Sequence, residues 1–154
     1  MTTSDWDGAL RAALSRTLEQ LCYAVPEPGA APSLDGSSPQ AVARVGFRGP
    51  FSGVMVLRVW GGAVLPALAR DMLGCDAEPE SAVLADCLAE MANVSCGTLL
   101  PLAAGSQQVF DVAAPLVSWG SDAEVSGRLA GRAAVALDNG TLEATVHLQD
   151  AGAP

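Results

Sequence analysis

Apolar residues recur along this chain in two rhythms, one near 3.6 and one of 2, and the switches between them mark out its elements. Residues 5–23 carry one apolar stripe, Leu10, Ala13, Leu14, Leu18, Leu21 and Cys22, with Arg11, Arg16 and Glu19 largely off it. That spacing predicts a helix. Ser4 stands where an N-cap is expected, and Asp5 and Asp7 fall near the positive end of the helix dipole. Residues 25–39 interleave Pro26, Pro28, Pro32 and Pro39 with Gly, Ser and Ala, and read as an irregular linker. The linker is internal to one domain, because the helix before it cannot bury its stripe alone. Residues 41–48 alternate, with Ala43, Val45 and Phe47 on one side and Arg44 and Arg48 on the other. This is the pattern of a half-buried strand. Gly49-Pro50-Phe51-Ser52-Gly53 supplies a turn, and the apolar run 54–60 completes an antiparallel hairpin.

Gly61-Gly62 ends the hairpin. Residues 63–73 then read as a helix with Pro66 in its first turn, where no amide donor is needed. Leu65, Leu68, Ala69 and Met72 face inward, and Gly74 marks the C-terminus. A short acidic link, Asp76 to Glu80, leads into a helix expected to run to about Leu100, where Pro101 should stop it. Residues 108–118 read as one strand carrying Pro115, hence an edge or a bulge. Residues 123–137 are extended but uneven, with Gly127 and Gly131 pointing to a bulge. Asp138-Asn139-Gly140 reads as a hairpin turn. The last strand alternates cleanly, with Leu142, Ala144, Val146 and Leu148 inward and Thr141, Glu143, Thr145 and His147 outward. The tail 150–154 is expected to fray. The expectation is an α+β single domain over 1–154, an antiparallel sheet packed against about three helices in the order α-β-β-α-α-β-β-β. No internal repeat is visible.

Composition narrows the function. With 154 residues, half of them hydrophobic and 16% charged, the chain can build a sizeable core. A net charge of −9 speaks against nucleic acid and against an anionic membrane surface as partners, since both need clustered Lys and Arg. No uninterrupted apolar run approaches the ~20 residues of a membrane span. Cys22, Cys75, Cys87 and Cys96 form no C-x-x-C pair, and the one histidine, His147, is distant in sequence. A zinc site is not expected. Four buried, reduced thiols in a cytoplasmic protein are. No basic stretch followed by an apolar core opens the chain, so no signal peptide is expected. With a single outward-facing histidine, a Ser/His/Asp or Cys/His arrangement is not expected either.

The distinctive stretch is Asp86-Cys-Leu-Ala-Glu-Met-Ala-Asn-Val-Ser-Cys-Gly97. Wound at 100° per residue, Leu84, Leu88 and Met91 share one face, flanked by Cys87, Val94 and Leu99. Asp86, Glu90, Asn93 and Gly97 share the other at spacings of four, three and four. A carboxylate and a carboxamide thus project side by side, next to a glycine that lets something approach the backbone. By itself, such a Glu and Asn are also what an ordinary solvated helix face carries.

Several segments together carry a resemblance. The first helix ends in Leu18-Glu-Gln-Leu-Cys-Tyr23. The hairpin holds Phe51-Ser-Gly-Val-Met-Val-Leu-Arg-Val59, and the next helix ends in Met72-Leu-Gly74. Then come Asp86, Glu90-Met-Ala-Asn93 and Gly97. Over roughly residues 8–149 the chain resembles the CheC/CheX/FliY group of chemotaxis phosphatases and is most similar to its CheX branch, which carries one such helix where CheC and FliY carry two. The resemblance implies hydrolysis of the phospho-aspartate on a CheY-like response regulator and a homodimer formed by pairing edge strands. It implies no intrinsic cofactor, since the regulator brings Mg²⁺ and a Lys. It assigns Glu90 to docking the regulator and Asn93 to acting on the phosphoryl group. The alternative is a non-enzymatic module that binds receivers or flagellar-switch components through the same face.

Overall fold

The last strand lies inside the sheet, paired on both sides. Leu142, Ala144 and Val146 are wholly enclosed, as their alternation requires. In a computed structural model describing residues 3–24, 38–120, 125–138 and 140–149, this strand is β6 (Gly140–Gln149). The elements before it are α1 (Thr3–Cys22), β1 (Ala41–Arg48), β2 (Ser52–Trp60), α2 (Val64–Leu73), α3 (Ser81–Ala104), β3 (Asp111–Val112), β4 (Leu116–Trp119) and β5 (Arg128–Leu137). The sheet runs β3-β1-β2-β6-β5, with β4 pairing β1 on the same edge as β3. Every pairing is antiparallel. Fold class and element order are those expected from the sequence.

The β1–β2 hairpin pairs Ala41 with Val59 and Phe47 with Gly53. Ala43, Val45, Met55, Leu57 and Val59 face the helices and are fully buried. Below the hairpin turn Phe47, Phe51 and Phe110 meet edge to face, with ring centroids 5.1–6.0 Å apart. This closes the end of the core. On the opposite sheet face, Arg58 donates to Thr145 Oγ1 at 2.8 Å and pairs with Glu143, which also accepts from Arg132. The outward β6 residues Thr141, Glu143 and Thr145 are enclosed as well, and the side chains of Arg58 on β2 and Arg132 on β5 reach across to Glu143 and Thr145.

Four sequence expectations are adjusted. The first helix already begins at Thr3, so Ser4 lies inside it instead of capping it. The strand at 108–118 is two short pieces, β3 and β4. Pro115 has no amide to give the ladder, and the edge of β1 is met in two places. The β5–β6 hairpin forms, but its register pairs Leu137 with Gly140, which puts Gly140 in the strand rather than the turn. A side chain there would collide with the Trp60 carbonyl and Val64, and the residue has φ 147°. Finally, Pro101 does not stop α3, which runs to Ala104 and ends at Gly105, whose N–H bonds the Pro101 carbonyl at 2.9 Å. A proline this near the C-terminus loses only the bond to the carbonyl of Gly97, at an exposed position that water can reach.

The expected bulge is present in β5, between Leu129 and Gly131. There the sheet meets the start of α1. A Cβ on Gly131 would lie 2.5 Å from Trp6 Cβ, and the Arg132 amide donates to Asp7 Oδ1 at 2.7 Å. The linker over 25–37, Asn139 and the tail from 150 lie outside the described residues. Pro39, at the linker's end, is buried.

Candidate functional site: the outer face of α3

Helix α3 is anchored by a stripe that repeats every three or four residues. Leu88, Met91, Ala92, Cys96 and Leu99 are fully buried against α1 and the sheet. Burying side chains of this size is worth about 1.5–3 kcal/mol each for the larger ones. Two hydroxyls interrupt the apolar contact with α1. Ser95 donates to Thr17 Oγ1 at 2.9 Å, and Thr17 donates to the Ala13 carbonyl at 2.8 Å. Both side chains are about 1% exposed. A satisfied buried pair adds little net stability, roughly 1 kcal/mol, but it penalises any axial slip that would break it. By length and composition α3 could match a membrane span. Its packed stripe and its polar outer face mark it instead as the core helix of this fold.

The opposite face carries the residues singled out from sequence. Asp86, Glu90, Asn93 and Gly97 are all exposed, as their spacing requires. Asn93 stands three residues past Glu90, about 4.5 Å further along the axis and on the same side. A Cβ added at Gly97 would meet nothing within 4 Å, so no internal contact demands glycine there. The face is convex. Of two hollows in the surface, one of about 380 Å³ lies beside Phe47 and Asp111 and one of about 570 Å³ beside Cys22, Arg70 and Cys75; neither is lined by Glu90 or Asn93.

Other candidates recede. Cys22, Cys87 and Cys96 are buried, but Cys75 is exposed, against the expectation of four buried thiols. It follows the left-handed cap Gly74, in the link between α2 and α3 and off every packed stripe. Burial pushes the Cys96 thiol up to about 12. Burial, then Asp71 and Cys87, pushes Cys22 up to about 12. Burial, then Asp86 and Cys75, raises Cys87. These three thiols stay protonated and unreactive near neutral pH. Among the described residues no group of three or more His, Cys, Asp or Glu side chains converges to hold a metal ion. Trp6 is a core residue, whereas Trp119 on β4 is 43% exposed. The Thr17–Ser95 pair was missed from sequence. Its signal was there: each hydroxyl sits inside an otherwise apolar stripe.

No family model matches the sequence, and no curated protein matches it. Solved structures do. The fold is that of the chemotaxis CheC/CheX/FliY group. The architecture is most plainly that of CheX: the chain is similar to CheX from Vibrio vulnificus, with a TM-score of 0.75 and 18% identity, over 94% of this chain and 96% of that one. It is similar to CheX from Desulfovibrio desulfuricans, with a TM-score of 0.74 and 18% identity, over 92% and 97%. It is also similar to the CheX–CheY–BeF3–Mg²⁺ complex from Borrelia burgdorferi, with a TM-score of 0.69 and 16% identity, over 93% and 97%.

Proposed function

We propose that this protein is a cytoplasmic phosphatase of CheY-like response regulators, with Asn93 as its catalytic residue and Glu90 as its docking residue. The observation that carries the reading is the pair's placement: both exposed, one turn apart, on a helix whose other face is locked into a CheX-like fold. That a solved CheX structure with this fold is a complex with CheY, BeF3 and Mg²⁺ supports the choice of partner.

The chemistry needs little from this chain. An aspartyl phosphate is a reactive mixed anhydride. Water attacks phosphorus in line, the bond to the aspartyl oxygen breaks, and carboxylate and inorganic phosphate leave. The regulator's own Mg²⁺ and Lys neutralise the phosphoryl oxygens. What remains is to place the water. The Asn93 carboxamide accepts a hydrogen bond from it through its carbonyl oxygen, donates through its NH2 group, and does not change charge with pH. A glutamine plays the same part in GTPases. Orientation of this kind is worth several kcal/mol. Glu90 pairs with a Lys or Arg of the receiver, and enclosing that pair on docking fixes the amide's register. The same reading has the chain work as a homodimer joined at an edge strand. The β3–β4 edge, with Val112, Leu116 and Trp119 exposed, is the more apolar of the two.

The test follows phosphate loss from a phosphorylated receiver of the same cell, with Mg²⁺ present. Wild-type protein should accelerate it. Asn93→Ala should abolish the acceleration while still binding, and Glu90→Ala should weaken binding about tenfold, or about 1.4 kcal/mol. Binding without acceleration would replace the phosphatase with a non-enzymatic receiver-binding module.

A further inference from the structure

Ser95 stands behind Asn93 on α3. Two residues turn a helix by about 200° and advance it by about 3 Å, so the exposed amide and the enclosed hydroxyl lie nearly back to back. The Ser95 hydroxyl donates to Thr17 Oγ1 of α1 at 2.9 Å. Thr17 is enclosed too, and its own hydroxyl is fixed by donating to the Ala13 carbonyl at 2.8 Å. The enclosed stripes around the pair are apolar, with Leu10, Leu14 and Leu18 on α1 and Leu88, Met91 and Leu99 on α3. Apolar contact has no direction and tolerates a small slide or roll. A hydrogen bond weakens steeply once its angle is lost. The hydroxyl pair therefore supplies a directional mark between the two helices. α1 is a sound reference for that mark, because near its start it is pinned to the sheet. The Arg132 amide donates to Asp7 Oδ1 at 2.7 Å, and the bare backbone of Gly131 packs against Trp6. Thr17 lies ten residues further along the same helix, about 15 Å away.

We infer that Ser95 and Thr17 are positioning residues for Asn93: their hydrogen bond sets the height and roll of α3, and so where the amide meets the phosphoryl group of the receiver. This rests on the phosphatase reading above and adds two residues to the same site. Height matters because a receiver cannot rest on α3 alone. A specific interface takes about 20–30 residues on each side, whereas the outward strip of α3 offers Asp86, Glu90, Asn93 and Gly97. The receiver therefore also leans on neighbouring elements. A slide or roll of α3 against those elements moves Asn93 relative to the phosphorus, and a misplacement of about 1 Å is enough to spoil in-line attack by the water it holds. Ser95 and Thr17 touch neither the water nor the receiver. They act through the helix that carries Asn93.

The test measures three things for each variant: kcat for dephosphorylation of a CheY-like receiver, affinity for that receiver activated with beryllofluoride and Mg²⁺, and the urea midpoint. Ser95→Ala removes the donor. Thr17→Val removes the acceptor and keeps the shape of the side chain. Each should lower kcat about tenfold while affinity stays within about twofold of wild type. Thr17→Ser keeps the hydroxyl, and its kcat should stay within about twofold of wild type. The double variant should be no slower than the slower single one, since both lose the same bond. A merely structural pair would lower the urea midpoint and leave the kcat of the folded protein unchanged, and that result overturns the inference. An affinity that falls with kcat unchanged overturns it as well, by placing the pair in docking. So does a Thr17→Ser as slow as Thr17→Val, because volume and not the bond would then decide. If wild type accelerates phosphate loss from no receiver, the phosphatase reading fails and this inference fails with it. If wild type is active and Asn93→Ala is not, while Ser95→Ala and Thr17→Val match wild type, only this inference fails.

Discussion

Leu88, Met91, Cys96 and Leu99 on one side of α3 are wholly enclosed, while Asp86, Glu90, Asn93 and Gly97 on the other side of the same helix are exposed. The inner set answers to the fold. Each residue is apolar, sits in the stripe, and is accounted for by what it touches in α1 or the sheet. The outer set has no such account. Its members are polar or bare, and the helix tolerates a glycine and a proline there at a cost in stability of about 1 kcal/mol or more. A single helix thus separates residues that hold the molecule together from residues that the molecule holds out.

That contrast can be broken by four measurements. The largest effect belongs to the inner face. Leu88→Ala should lower the unfolding free energy by about 3 kcal/mol in urea titration, through lost transfer energy and a residual cavity. A loss below about 1 kcal/mol would mean that the stripe is not the anchor. Next, Asn93→Ala should slow receiver dephosphorylation about a hundredfold, while its urea midpoint stays within about 0.5 kcal/mol of wild type. A matching drop in stability would put Asn93 among the structural residues.

The third measurement uses pH. The Cys96 thiol is held at about 12 by burial and ionises near 9.0 when exposed. Between those values the unfolded chain gives up a proton that the folded chain keeps. Stability is therefore fully present below about pH 9 and falls as pH rises toward 12, by about 1.4 kcal/mol per pH unit for each such thiol. Cys22 contributes a second, parallel slope. Cys96→Ala should flatten the alkaline decline between pH 9 and 11 by one thiol's share; an unchanged slope would show that the thiol is not sealed. The smallest effect is Ser95→Ala, about 1 kcal/mol in stability, since Thr17 keeps its bond to the Ala13 carbonyl. A larger fall in kcat than in receiver affinity would show that the hydroxyl pair sets the height of Asn93.

The outer face was legible in the sequence because a 3.6-residue period sorts side chains by direction without any knowledge of the partner element. The four outward residues of α3 and the alternation of β6 needed nothing else. Misreadings arose where one residue's rule met a wider context. Pro101 reads as a stop, but a proline in the last turn removes only one hydrogen bond, at an exposed position. Residues 108–118 looked like one strand, but Pro115 divides them into two contacts with β1. Cys75 looked like its three fellows, and only the left-handed cap before it places it outside the packing. The hydroxyls of Thr17 and Ser95 were each visible, but their meeting joins positions 78 residues apart, which no local period encodes.

The anchoring of α1 has a consequence for how the protein is made. Its first turn is fastened to β5, where the Arg132 amide reaches Asp7 across 125 positions of chain. Its stripe is covered by α2, α3, β5 and β6. α1 precedes in sequence every element that covers it, and β5 and β6 come last among them. Until α2 and α3 follow, Leu10, Leu14 and Leu18 have nothing to pack against, and until β5 and β6 follow their covering is partial. The stripe of α1 is therefore fully covered only once β5 and β6 have been made, and an incomplete chain leaves part of it open to aggregation.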